Sequence, residues 1–205
     1  MITLHALKYS RATRVLWLLH DLGQSCERVD YDRTENFRAP PALGKVHPLG
    51  KSPVIEDNGQ LISESATILR YLAEKYRDTQ HRPPSGSPEF WRHETLLDYA
   101  EASFAEVAMQ SILPAFDGKD IPEASKAALD KHLDYISSEL GEGPLLFGSA
   151  LTLADIQISY ILALLDRFEL LGSHPSIADY WQRLQEQSGY IAALTQVGPM
   201  APPKD

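Results

Sequence analysis

Three short stretches of the chain combine residue types that can hold a small peptide and an anion. The first, Ser10-Arg11-Ala12-Thr13-Arg14-Val15-Leu16-Trp17, lies where an alternating pattern gives way to a helical one. Ser10 falls at the predicted N-cap, where the first-turn N–H groups lack partners and the positive end of the helix dipole lies. A site of that kind stabilises an anion, although the same hydroxyl can serve only as a cap. The second stretch, His47-Pro48-Leu49-Gly50-Lys51-Ser52-Pro53-Val54-Ile55, puts a proline at the head of a strand, where it cannot donate to a sheet. A cis Ser52–Pro53 bond would turn the Ser52 N–H and C=O outward to pair with an extended peptide, whereas a trans proline would simply open the strand. The third, Leu61-Ile62-Ser63-Glu64-Ser65-Ala66-Thr67-Ile68, offers a carboxylate, a hydroxyl and free N–H groups at a helix mouth. That set can hold an amino acid's ammonium and carboxylate together. A plain serine cap with Glu in the first turn would use the same residues.

The surrounding pattern predicts the elements that position these stretches. Ile2, Leu4 and Ala6 alternate along a short strand, and Ala12, Val15, Leu16, Leu19 and Leu22 then recur at helical spacing up to a Gly23 C-cap. Cys26–Tyr31 reads as a second strand and residues 32–50 as irregular. Pro53–Glu56 and Gln60–Ile62 flank an Asn-Gly turn and predict a hairpin, followed by a helix with Ile68, Leu72 and Tyr76 on one face. The stretch Arg77–Ser87 has no hydrophobic residue and groups Pro83, Pro84, Ser85, Gly86 and Ser87, as a linker does. Beyond it, 88–112, 123–140, 152–170 and 176–187 read as helices. The third is apolar nearly all round, as a central buried helix is. It starts on a capping box, Thr152 with Asp155, and a Leu151–Ile156 staple. The expected architecture is a small α/β domain over 1–78, a linker over 79–87 and an all-helical domain over 88–205.

Taken together, order and spacing resemble the glutathione transferase family. Its N-terminal domain carries a serine, tyrosine or cysteine after the first strand, then an (N/H)P-x-G-(K/Q)-x-P-x-(L/I) segment, then an E-S-x-A-I-like helix start. Here these read Ser10, HPLGKSPVI and ESATI, and the family's S/T-x-x-D box is matched by TLAD at 152–155. The similarity spans almost the whole chain and looks nearest to the serine-type, theta-related bacterial and fungal branch. It implies a thioredoxin-like N-terminal domain and a helical bundle that supplies the electrophile site. It also implies glutathione as co-substrate: Glu64 and Ser65 at its γ-glutamyl end, Ser52 before a cis Pro53 on the cysteinyl backbone, and Lys51 with Arg38 at the glycyl carboxylate. Tyr9, Tyr99, Phe104 and Met109 would wall the electrophile pocket. Glu101 and Ser103 would reach across a homodimer.

The chemistry implied is thiol activation. The thiolate is the nucleophile, and a free thiol is mostly protonated at neutral pH. Serine is too weak an acid to act as the base, so the role of Ser10 would be to donate a hydrogen bond to the sulfur anion. Tyr9 and Arg11 are the alternative donors. The only cysteine, Cys26, is remote from the first helix start, which disfavours a thiol–disulfide member. The activity expected is transfer of glutathione to small hydrophobic electrophiles, with peroxidase chemistry as an extension. The competing readings are a specialised isomerase or dehalogenase, and a binding or regulatory protein without turnover. Composition narrows the field further. A net charge of −9 argues against a nucleic-acid partner. One cysteine excludes an internal disulfide and fits a reducing compartment. No leader or membrane-spanning pattern is read, which points to the cytoplasm. The seven histidines lack metal-ligand spacing, so no metal is expected.

Overall fold

The computed structural model describes residues 1–203. They divide into two units, Met1–Asp78 with Gln187–Pro203, and Thr79–Glu186.

The first unit is built on strands β1 (Thr3–Leu7), β2 (Glu27–Tyr31), β3 (Val54–Asp57) and β4 (Gln60–Ser63) in the order β2-β1-β3-β4. β1 runs parallel to β2, with Leu7 opposite Tyr31, and antiparallel to β3, with His5 opposite Val54. The β3–β4 turn uses Asn58 and Gly59 at φ 51 and 79, the double left-handed geometry that matches strand twist in a two-residue hairpin. Helix α1 (Ala12–Asp21) ends as the sequence suggests, with Gly23 at φ 63. The Gly23 N–H bonds the His20 carbonyl and the Gln24 N–H bonds that of Leu19, a Schellman closure. Helix α3 (Ser65–Lys75) buries Ile68, Leu69, Leu72 and Ala73.

Two features depart from the sequence reading. The stretch read as irregular contains a six-residue helix, α2 (Pro41–Val46), started by Pro41 and burying only Leu43. More consequentially, the chain end assigned to the helical domain returns to the first unit as helix α9 (Ser188–Val197). It packs on α1, and for this reason residues 12–19 are buried all round and not along one stripe. Gly189 allows the approach, because a Cβ there would strike the Trp17 ring and the Asp21 carboxylate. The Trp17 and Tyr190 rings meet edge-on at 5.3 Å.

The second unit begins with α4 (Pro88–Tyr99), which passes through a π-helical turn at Ala100–Phe104 into α5 (Ala105–Phe116). The single helix expected over 88–112 is thus longer and interrupted. Then come α6 (Glu123–Leu140), α7 (Leu153–Arg167) and α8 (Pro175–Gln185). α7 is buried at every position from Leu153 to Leu165. Its capping box forms, and the fully enclosed Asp155 carboxylate also accepts the Leu146 N–H at 3.1 Å and the Tyr180 hydroxyl at 2.8 Å. Burial pushes the Asp155 carboxyl above its usual range, against four hydrogen bonds that favour the anion. The polar stretch before α4 is anchored, not loose: His81 is buried, its carbonyl accepts the Leu153 N–H, and Arg82 pairs with Glu94 at 3.0 Å.

Candidate active site

All residues assigned to glutathione lie in the first unit, and side-chain bonds tie two of them, Ser52 and Ser65, to β1 and α1 on either side of the β1–α1 junction. α1 begins at Ala12 with Arg11 as its N-cap, so Ser10 stands one position before the cap and not at it as the sequence predicts. Its hydroxyl oxygen nevertheless accepts the Ala12 N–H at 3.2 Å and is nearly enclosed. Among the described residues nothing accepts its proton, so the hydroxyl keeps a donor for an incoming anion.

The Ser52–Pro53 bond is cis, and Pro53 is buried. The Ser52 side chain does work that the sequence does not reveal. Its oxygen accepts the Leu7 N–H at 3.0 Å and donates to the His5 carbonyl at 2.9 Å. These β1 groups belong to the last residue of the β1–β3 ladder, His5 opposite Val54, and to Leu7 two residues past it, where Pro53 cannot donate. A hydroxyl therefore completes the ladder by one step. The main-chain N–H and C=O of Ser52 have no partner among the described residues.

Glu64 sits at φ 65, ψ 117, an uncommon conformation for a residue with a side chain, just before α3. Its carbonyl accepts the Ile68 N–H while the side chain is exposed. Ser65 is buried, and its hydroxyl accepts Nη1 of Arg14 at 3.1 Å. Arg14 is 0% exposed, on a helix face that an arginine would ordinarily leave for water. It ties the start of α3 to the first turn of α1. Lys51 and Arg38 are both exposed, and neither side chain has a partner among the described residues. The main chain of Arg38 is held to Thr34 by N–H to carbonyl and hydroxyl bonds of 2.9–3.3 Å.

Tyr9, the alternative donor, is left-handed at φ 55, and its ring stacks on Phe37 at 6.0 Å. Arg11, the other alternative, is half-buried at the flank of α1. Arg33 was not singled out from the sequence, yet its guanidinium donates to the carbonyls of Lys8, Tyr9 and Phe37 at 2.9, 2.7 and 2.9 Å.

In the helical unit the residues assigned to the electrophile separate. Phe104 is 0% exposed, stacked on Tyr99 and His132, and is packing, not an open wall. Tyr99 is half-buried with its hydroxyl 2.6 Å from His132 Nδ1. Burial pushes the Tyr99 phenol well up and the His132 imidazole down, so both are neutral at physiological pH. Met109 is half-buried on α5, while Glu101 and Ser103 lie in the π-helical turn, half-buried and exposed respectively. Among the described residues no group of three or more His, Cys, Asp or Glu is placed to hold a metal. No helix among them is long and apolar enough to cross a membrane.

A four-stranded mixed sheet with a cis proline at the head of its third strand, followed by a bundle of helices, defines a thioredoxin-like domain joined to an all-helical one. The family model "Glutathione S-transferase, N-terminal domain" matches residues 1–74, and "Glutathione S-transferase, C-terminal domain" matches 101–188. The chain belongs to the glutathione S-transferase family. It is 33% identical over 176 residues to Glutathione S-transferase 3 of Schizosaccharomyces pombe, covering 78% of this chain and 72% of that one. Against Glutathione S-transferase 1 of Saccharomyces cerevisiae it is 29% identical, with 94% of each covered. A crystal structure of a glutathione S-transferase from Actinobacillus pleuropneumoniae superposes with a TM-score of 0.87 at 26% identity, covering 97% of this chain and 94% of that one.

Proposed function

We propose that the protein is an enzyme that activates glutathione as its thiolate, with Ser10 as the hydrogen-bond donor to sulfur, and transfers it to small hydrophobic electrophiles. One observation carries the assignment. Bonds on either side of Ser10 tie it to both halves of the peptide site: Leu7, three residues before, holds Ser52, and Arg14, four residues after, holds Ser65. In this reading the unpaired main chain of Ser52 receives the cysteinyl backbone, and Glu64 with Ser65 receives the γ-glutamyl end. The exposed cations Lys51 and Arg38 meet the glycyl carboxylate. Ser10 spends a lone pair on Ala12 and keeps its proton for the sulfur, while the N–H groups of the first turn add positive potential.

The helical unit contributes Tyr99 and Met109 toward the electrophile. The serine-type chemistry supports a place in the theta-related branch. Two-fold association is part of the reading, for which Leu61 on the edge strand β4 and Trp91 on α4 supply exposed apolar surface. Equilibrium binding of glutathione, followed by turnover with a chloronitrobenzene-type electrophile, tests the function. Saturable binding with turnover is the expected result. Binding without turnover on that electrophile or on a peroxide would favour a binding protein, and no binding would remove the assignment.

A further inference from the structure

Arg33 lies in the loop after β2, outside every motif of the peptide site, yet its side chain holds the loop that carries Ser10. Nε donates to the Lys8 carbonyl at 2.9 Å and Nη2 to the Tyr9 carbonyl at 2.7 Å. Nη1 turns the other way, to the Phe37 carbonyl at 2.9 Å, and the guanidinium carbon lies 4.5 Å from the centre of the Phe37 ring. That ring stacks in turn on Tyr9, with the two planes 12° apart. The 34–38 turn is a firm anchor, since the Phe37 N–H bonds the Thr34 carbonyl at 2.8 Å and the Thr34 N–H bonds that of Arg38 at 2.9 Å.

The consequence for Ser10 follows from peptide planarity. The Tyr9 carbonyl belongs to the same rigid unit as the Ser10 N–H and Cα, so fixing it places the Ser10 Cα, and the Ala12 N–H bond to Oγ at 3.2 Å then holds the side chain. The loop needs such a hold. Tyr9 is left-handed at φ 55, a conformation that a residue with a Cβ abandons unless its surroundings impose it. A lysine cannot substitute, because its ammonium is a single point and cannot meet three carbonyls in one fork.

We propose that Arg33 is a positioning residue for thiol activation, holding the β1–α1 loop so that the Ser10 hydroxyl faces the glutathione sulfur. The proposal rests on the glutathione reading above. Lys8, which pairs with Asp32 at 3.8 Å, and Tyr9, Arg11 and Arg14 flank the loop, Tyr31 on β2 accepts the Lys8 N–H, and Glu35 and Arg38 stand in the 34–38 turn; all are retained in the variants that follow.

The test compares wild type, Arg33→Gln, Arg33→Lys and Ser10→Ala by pH titration of the ultraviolet thiolate absorbance of enzyme-bound glutathione. Steady-state kinetics and thermal midpoints accompany it. Both Arg33 variants should raise the thiol midpoint by about one pH unit, a roughly tenfold shift of the thiolate–thiol ratio toward the thiol at any fixed pH. The KM for glutathione should stay within about twofold, with kcat recovering in alkali. The lysine variant keeps the charge and carries the test should the glutamine variant fail to fold. Lower thermal midpoints with an unmoved thiol midpoint would overturn the proposal alone, leaving Arg33 a structural brace. Wild-type enzyme without a thiolate signal would overturn the proposal and the glutathione reading together.

Discussion

Replacing Ser52 with alanine separates two jobs that this residue performs with different atoms. The hydroxyl bonds the Leu7 N–H and the His5 carbonyl, and those residues are only 7% and 8% exposed. Ser52→Ala strands both β1 groups in a place where water reaches poorly. A buried group left without its partner costs about 1–3 kcal/mol, and the two here share one hydroxyl, so about 2–3 kcal/mol is expected in all. For a chain of this size each kcal/mol lowers Tm by about 2–4 °C, which puts the loss near 4–12 °C. The peptide contact assigned to Ser52 runs through its main chain, which alanine leaves in place. The variant should therefore unfold earlier in urea while kcat at saturating glutathione stays within about twofold. Ser52→Thr retains the hydroxyl and should recover most of the stability. An alanine variant as stable as wild type would refute the ladder role, and a collapse of kcat at full occupancy would refute the division of labour.

Two further substitutions probe the elements behind the site. Gly189→Ala drives a methyl into the fully buried Trp17 ring at the α1–α9 contact, and overpacking of this kind should cost about 1–3 kcal/mol in thermal or urea unfolding; no loss would mean that α9 does not dock as described. Asp57 is buried at the end of β3, bonded by the Tyr71 hydroxyl at 2.5 Å and by the Lys75 ammonium, and these bonds hold its carboxyl below the usual carboxylate range. A depressed folded-state value means stability that is fully present above the ordinary carboxylate range and lost as pH falls through the depressed value. The gap in Tm between wild type and Asp57→Asn should thus be constant near neutrality and close in acid; a gap that widens in acid would contradict the pairing.

What could be read from the chain alone is what is encoded locally. The Asn58-Gly59 turn, the Gly23 closure and the Thr152–Asp155 box each carry their geometry in two to four adjacent residues, and each forms. The cis Ser52–Pro53 bond was legible only beside the Ser10 and Glu64-Ser65 patterns, because a lone proline has an ordinary alternative. The misses share a cause: their partners lie far away in sequence. Arg14 in an amphipathic pattern reads as solvent-facing, and nothing local reveals that Ser65 and the neighbouring helices enclose it. Arg33 sits in a loop with no periodicity to interpret, so a clamp on three carbonyls leaves no trace in the pattern. Polypeptide continuity groups residues 188–197 with the helical domain, and the last helix read from the sequence ends at 187. The packing of α9 on α1 depends on a glycine meeting a tryptophan near the opposite end of the chain. Phe104 reads as a pocket wall for the converse reason, since an aromatic on a helix gives no sign of which neighbours close over it.

In the proposed function the donor proton that Ser10 holds unspent goes to sulfur. Titrating glutathione bound to wild type and to Ser10→Ala, each at saturating ligand, tests this without any electrophile. The alanine variant should bind the tripeptide with near-normal affinity but ionise its thiol at a higher pH, each unit of displacement equalling roughly 1.4 kcal/mol of lost anion stabilisation. Identical ionisation curves for the two proteins would contradict the claim and reduce Ser10 to a partner for the Ala12 amide.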